Sequence, residues 1–439
     1  MKNFHLTFAA LLLSSVLYAQ SFNQAKMDSL FKLIDVNEKS MGSISIFHDD
    51  KEVYQYSMGF ADVNKKLKAN AMTKYRVGSV SKIFTSAIIL QMVEEGKLNL
   101  ETTLDRFFPE IPNSKSITIE QLLRHRTGLF NFTNAPEYLE WMEQPKSREA
   151  LLELFMKNGT TFKPGEQFEY SNTNYVLLSF IAETIDGKSF AELLKQRIVV
   201  PLALTNTYYG GKIDPARNEA KSYTRANTWV ASTETDMSIP TGAGAIVSTP
   251  SDLNLFLIAL FSGKVISNES LGRMKELKDG YGLGLIQFPF FEKKAFGHTG
   301  GIDGFQSTTS IFPDEKVAVS MTINGASMPS NDILIGALST IFGRDYTLPE
   351  FTPAIQLTED ELSAFTGTYS SEGFPMKISI TQRGTTLLGQ ATGQPMFPLE
   401  AFEKNKFRFD PAKLVIEFYP EENKLILLQG GGRFELTRE

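Results

Sequence analysis

Ser79 and Lys82 stand three residues apart in RVGSVSKIFTSAI (76–88), a hydroxyl and an amine just ahead of an apolar run. Such a pair suits acyl transfer, in which the serine attacks a carbonyl and a neighbouring base takes its proton. For Lys82 to act near neutral pH its pKa must fall from about 10.4 by roughly three, about 4 kcal/mol, which burial beside an apolar helix can supply. Spacing alone carries little weight, because S-x-x-K arises by chance on the order of once or twice in a chain of this length. Ser29-Leu-Phe-Lys32 is indeed a second copy, on an amphipathic pattern that would turn Lys32 to water.

Two further stretches bear on the choice. FEYSNTNYVLLSFIAE contains Tyr170-Ser-Asn172, after a Pro164-Gly165 turn and before another apolar helix pattern. A tyrosine and an amide two apart at a helix mouth can enter one cleft as proton carrier and hydrogen-bonding group, or can simply cap the helix. FGHTGGIDGFQS contains His298-Thr299-Gly300-Gly301 at the edge of a run of strand patterns. Small residues there admit close backbone approach to a ligand. The N–H groups of Ser79 and Gly301 could then form an oxyanion hole, each donor typically worth about 3–4 kcal/mol in a transition state. A glycine-rich hairpin turn is the plain alternative. HRTGL (125–129) is a rival Thr-Gly pair, but it lies among helical patterns.

The elements that must hold these residues follow from periodicity. QAKMDSLFKLIDVNEK places Met27, Leu30, Phe31 and Ile34 on one helix face. GSISIFHDD and KEVYQYSMGF alternate around an Asp-Asp-Lys turn and predict a hairpin. IFTSAIILQMVEEG is apolar on nearly every face, so the helix that follows Ser79 should be buried. Helical patterns dominate from 79 to about 260. Strand patterns return at GLGLIQF, QSTTSIF and KVAVSMTIN, and NDILIGALSTIF reads as a helix. This order predicts an α/β (α+β) fold: an antiparallel sheet built from both ends of the segment and flanked by helices, with a large helical insertion beside it. A cleft between those halves would suit a small molecule. Prolines 349 and 353 mark a linker. Beyond it MKISI, TTLLGQ, KFRFD, LVIEFY, KLILLQ and RFELT are short, evenly spaced strands, predicting a small all-β barrel or sandwich.

Composition narrows the function. The 439 residues, 42% hydrophobic and 21% charged, suit two or three globular domains. A net charge of −6 without a basic block argues against nucleic acid or an anionic membrane surface as partner. Lys2 followed by LTFAALLLSSVL and Ala19 reads as a signal peptide over 1–19, implying export, with a periplasmic setting preferred over full secretion. An uncleaved anchor is the alternative, but the apolar run is short for a bilayer, and no later stretch is long enough to span one. The absence of cysteine excludes a thiol nucleophile, and four scattered histidines without H-E-x-x-H argue against a zinc site. No cofactor is expected. There is no glycine-rich phosphate loop and no G-x-S-x-G elbow.

Taken in this order, S-x-x-K, Y-x-N and H-T-G resemble the motifs of the penicillin-recognising serine hydrolases, the superfamily of class C β-lactamases, DD-peptidases and serine esterases. The resemblance covers about residues 23 to 343 and includes YRVGSVSKIFT, LLRHRTGL, PGEQFEYSN and GHTGGIDGF. It implies Ser79 as acyl-enzyme nucleophile, Lys82 as its proton acceptor and Tyr170 as a second acid/base, leaving open which of the two is the base in each step. Asn172, His298, Thr299, Gly300 and Gly301 would bind substrate, with Gly301 and Ser79 polarising the carbonyl. His125 would be structural. His298 stands where β-lactamases of the group usually carry lysine, which favours DD-peptidases, D-aminopeptidases and esterases. A histidine neutral near pH 7 is also a less dependable carboxylate anchor. The expected substrate is a D-amino-acid peptide, a cell-wall fragment or a small ester. A penicillin-binding sensor with little turnover and a true β-lactamase are the alternatives. The segment 346–439 resembles the lipocalin-like barrel appended to some members.

Overall fold

The computed structural model describes residues 22–225 and 228–439. The expected leader over 1–19 lies outside the described residues. Among them, no helix is long and apolar enough to cross a membrane.

Helix α1 (Gln24–Val36) is capped by Asn23, whose side chain accepts the Lys26 N–H at 3.0 Å, and it buries the predicted face of Met27, Leu30, Phe31 and Ile34. Strands β1 (Ser40–His48) and β2 (Lys51–Met58) form the predicted hairpin. Its turn uses Asp49 and Asp50 in left-handed conformation, which aspartate tolerates better than most residues. Helix α2 (Ser81–Glu94) is buried almost all round, as its uniform apolarity requires. Helices α3 (Asn172–Asp186) and α4 (Pro250–Phe261) belong to the same helical body.

Strands β3 (Ile286–Phe290), β4 (Lys293–Ile302), β5 (Phe305–Phe312) and β6 (Val317–Ala326) follow, then helix α5 (Ser330–Ile341). The sheet order is β3-β4-β5-β6-β1-β2, antiparallel throughout, so the sheet does join both ends of this segment. α1 and α5 pack on one face. The other face meets α4. β1 is buried on both faces, and its Ser-Ile alternation divides the work. Ile44 and Ile46 enter the apolar cluster with α1, while Asn254 of α4 donates to the Ser45 carbonyl at 2.9 Å and accepts from Ser320 at 2.7 Å.

The sequence placed a strand over GLGLIQF, but the strand begins only at Ile286. Gly282 N–H is held by the Leu285 carbonyl at 2.8 Å in a tight turn, which takes Gly282–Leu285 out of the ladder. KKAF, unread as strand because two lysines open it, starts β4.

After residues 343–358, which carry no regular element, a short helix (Glu359–Ser363) leads into a closed antiparallel barrel of eight strands. All six strand patterns read in the sequence are in it. Two strands went unread: Gly367–Ser371, which is mostly polar, and Phe397–Glu403, which Pro398 disguises. Alternate residues such as Ile378, Ile380, Phe407, Ile416 and Leu425 fill the interior, so the barrel is packed rather than hollow. Lys39, at the foot of β1, reaches across to it, pairing with Asp410 at 2.9 Å and Glu400 at 3.6 Å.

Candidate active site

Ser79 occupies a 3-10 turn (Gly78–Val80) that runs directly into α2, and Lys82 is the second residue of that helix. Ser79 is partly exposed, whereas Lys82 is fully buried. Lys82 Nζ lies 2.8 Å from Ser79 Oγ, 2.8 Å from Asn172 Oδ1 and 2.9 Å from the Ala243 carbonyl oxygen. Burial holds the Lys82 pKa well below the ordinary lysine value. A neutral amine has two N–H donors and one lone pair. It can therefore donate to Asn172 and Ala243 and accept the Ser79 hydroxyl proton, which satisfies all three contacts. The rival pair has no such setting: Ser29 and Lys32 are exposed, and the Ser29 hydroxyl donates to Ala25 within α1.

Tyr170 and Asn172 enter from the start of α3. Asn172 is its first residue, and its N–H is held by Asn131 Oδ1 at 3.0 Å while its amide donates to Thr133 at 3.2 Å, so the Oδ1 is aimed at Lys82. Lys82 Nζ lies 4.9 Å from the centre of the Tyr170 ring. Loss of hydration pushes the Tyr170 phenol above its ordinary pKa, and a hydrogen bond with Ser79 offsets part of the rise. Burial thus opposes ionisation of both Lys82 and Tyr170. Behind the tyrosine, the buried ring of His125 sits 4.2 Å from it, centre to centre. His125 Nδ1 accepts from the Ser171 N–H at 3.2 Å, and burial holds the ring's pKa well below the ordinary histidine value.

His298, Thr299, Gly300 and Gly301 lie on β4, which runs alongside the Gly78–Val80 turn. A methyl group on Gly300 would fall 2.0 Å from the Val77 carbonyl oxygen and 3.0 Å from the Ser79 nitrogen. At Gly78, whose φ is +51, a methyl group would fall 2.8–2.9 Å from the Gly301 backbone. The two glycines let the backbones of Ser79 and Gly301 lie side by side, as an oxyanion hole would need. His298 comes to the site but not as a substrate contact. It is buried, its Nδ1–H donates to the Thr299 carbonyl, and its Nε2 accepts from the Tyr281 hydroxyl at 3.0 Å. Burial lowers its pKa to about 3. Thr299 is the exposed member of the triplet.

Several participants were not legible in the sequence. The Ala243 carbonyl lies in a small-residue segment, TGAGA, whose Gly242 carbonyl also accepts from Thr85 of α2 at 2.6 Å. Tyr281 fixes the His298 ring. Arg76 Nη1 bonds Asp303 Oδ2 at 2.9 Å and the Thr235 carbonyl at 2.8 Å, bracing the β4–β5 turn. The cleft at Ser79 encloses about 330 Å³, with walls from both the 132–142 and 233–244 stretches.

Comparison with known proteins follows the same lines. The family model described as Beta-lactamase matches residues 37–337. A penicillin-binding protein of Bacillus subtilis (strain 168) is 25% identical over 450 residues, covering 94% of this chain and 98% of that one. The teichoic acid D-alanine hydrolase of Staphylococcus aureus is 26% identical over 308 residues, covering 68% of this chain and 74% of its own. Among solved structures, D-amino acid amidase from Ochrobactrum anthropi SV3 superposes with a TM-score of 0.66 at 24% identity, covering 73% of this chain and 98% of that one.

Proposed function

The chain belongs to the β-lactamase family of serine hydrolases, and on that premise we propose that it cleaves amide or ester bonds through an acyl-enzyme on Ser79. D-amino-acid peptides and cell-wall fragments are the leading substrates, with small esters next. The name of the staphylococcal relative, a D-alanine hydrolase, supports that class. The single observation that carries the reading is the hydrogen-bonding of Lys82, a buried amine whose remaining lone pair faces the Ser79 hydroxyl.

In this mechanism Ser79 Oγ attacks the carbonyl carbon as its proton passes to Lys82 Nζ. The carbonyl oxygen gains charge facing the N–H groups of Ser79 and Gly301. Collapse expels the leaving group, which takes a proton from the Tyr170 hydroxyl, and Tyr170 is restored from the Lys82 ammonium. Burial favours this assignment, because it holds Tyr170 protonated and Lys82 unprotonated before reaction. Water then attacks the ester by the reverse path, with Lys82 again the base, and the acid product leaves. Asn172 holds Lys82 in place and presents its amide beside the substrate.

Two organisational readings accompany this. Residues 23–345 form the hydrolase unit and 346–439 a linker and barrel that takes no part in the chemistry. The protein is exported after cleavage of its leader and works outside the cytoplasmic membrane. The decisive test is incubation with a fluorophosphonate, then peptide mapping. An adduct on Ser79 that is lost in Ser79→Ala is expected, and labelling elsewhere, or none, refutes the assignment.

A further inference from the structure

His125 grips the chain on both sides of Tyr170. The Glu169 N–H donates to the His125 carbonyl at 3.0 Å, and the Ser171 N–H donates to His125 Nδ1 at 3.2 Å. Between those two bonds the imidazole lies against the phenol ring, 4.2 Å from centre to centre and tilted by 34°. His125 follows the short helix Ile119–Leu123 in left-handed conformation, φ +54, which histidine adopts more readily than most residues. The next residue ties the start of the same turn. The Arg126 carbonyl accepts from the Gly165 N–H at 2.8 Å, and Arg126 Nη2 donates to the Gly165 carbonyl at 2.7 Å.

The ring is held in one tautomer and one orientation. A backbone N–H only donates, so Nδ1 is the acceptor and Nε2 carries the ring hydrogen. Asn174 agrees with this: its Oδ1 accepts from the Thr127 hydroxyl at 2.7 Å, which turns its Nδ2 toward His125 Nδ1 at 3.2 Å. Two donors therefore share one lone pair. Nε2 has no hydrogen-bond partner among the described residues, and the rings of Phe168, Tyr170, Tyr175 and Tyr281 surround the imidazole. Turning the ring over would set a carbon against the Ser171 N–H, at about 1–3 kcal/mol for a buried donor left unpaired. Packing alone requires neither a fixed tautomer nor bonds on both flanks of the proposed acid.

Resting on the Ser79 and Tyr170 assignments, we propose that His125 is the positioning residue of the leaving-group step. It fixes the Tyr170 hydroxyl where the departing amine or alcohol takes its proton. His125 transfers no proton and touches no substrate. Its effect belongs to bond breaking, where Tyr170 donates, rather than to the attack of Ser79, which Lys82 assists. A leaving group that departs as a stable anion needs little from Tyr170 and therefore little from His125. A leaving group that must be protonated needs both.

The test compares p-nitrophenyl acetate with trifluoroethyl acetate by kcat/KM on the full-length enzyme. Both esters give the same acetyl-enzyme, so the ratio isolates the leaving group. His125→Leu should lower kcat/KM for the trifluoroethyl ester by roughly thirtyfold or more, as misplacing a general acid does. The p-nitrophenyl ester and fluorophosphonate labelling of Ser79 should change by about threefold or less, since neither needs that acid. His125→Asn keeps an acceptor at the Nδ1 position and should restore most of the trifluoroethyl rate. His125→Gln, whose amide lies one atom further out, should not, and this pair carries the comparison if the leucine variant fails to fold. Equal losses on the two esters, no loss on either, or equal rates for the Asn and Gln variants overturn the inference. So does wild-type enzyme that cleaves only the p-nitrophenyl ester, because it then has no working acid. A Ser79 adduct with equal losses refutes the role of His125 alone, whereas turnover without that adduct refutes the nucleophile.

Discussion

Arg76 and Asp303 form a buried ion pair that ties the strand entering the Ser79 turn to the hairpin leaving Gly301. Arg76 makes four bonds in all: to Asp303, Glu234 and the carbonyls of Thr235 and Gly211. Both backbones of the proposed oxyanion hole are thus held from outside by one guanidinium. Removing one partner of such a pair typically costs about 3–5 kcal/mol. Asp303→Asn should lower the urea midpoint and reduce kcat by at least tenfold with KM little changed. Arg76→Lys should not rescue activity, since a single ammonium cannot replace a forked donor. A wild-type kcat in either variant counts against the bracing role.

Neighbouring glycines on β4 should behave oppositely. Gly300→Ala drives a methyl group into the Val77 carbonyl, 2.0 Å away, and should abolish Ser79 labelling by prising the two backbones apart. Gly301→Ala meets only the Phe305 carbonyl oxygen at 3.9 Å, keeps its N–H, and should change kcat by a few-fold at most. Fluorophosphonate labelling rates of the two purified variants decide the point.

The Lys82 amine should set the acid limb of the rate profile. Its pKa is depressed by burial, so the base form persists at neutral pH and is lost only as pH falls through that lowered value. kcat/KM should accordingly hold steady near pH 7 and decline toward acid. Lys82→Arg, which stays cationic, should lose roughly 10²–10⁴ in kcat. Retention of activity within tenfold would transfer the base role to Tyr170.

His298 should cost stability in acid. Its folded pKa is about 3 against about 6.5 in the unfolded chain, so below about pH 6.5 the unfolded state takes a proton that the folded state refuses. Stability then falls as pH drops from about 6.5 toward 3, by about 1.4 kcal/mol per pH unit for this one site. His125, held low by the same burial, adds in the same direction. Urea unfolding at pH 7, 6 and 5 should show a shallower decline for His298→Gln than for the wild type. Parallel slopes would mean His298 protonates freely in the folded protein.

Some of this was legible in the chain and some was not, for physical reasons. Ser79, Lys82, Tyr170 and Asn172 carry distinctive functional groups, and they converge because each sits at the mouth of an apolar helix that the pattern itself announces. Ala243 contributes a carbonyl, a group every residue owns, so no side-chain type could mark it. Tyr281 meets His298 only because the chain turns sharply between Gly282 and Leu285, where the pattern suggested a strand. The sheet built from both ends of the segment was readable from element order. That β1 is buried on both faces was not, since a serine row facing Asn254 looks like a solvent row until the helix above it is in place.

The pairing of β1 with β6 sets a clock on the enzyme's birth. The Ser40 hydroxyl bonds the Gly325 carbonyl 285 positions downstream, so at typical synthesis rates of about 5–20 residues per second the first strand waits roughly 15–60 s for its neighbour. For most of that interval Ser79 and Lys82 have no β4 beside them. Until Gly301 has been made, the nascent chain lacks the second backbone of the proposed oxyanion hole.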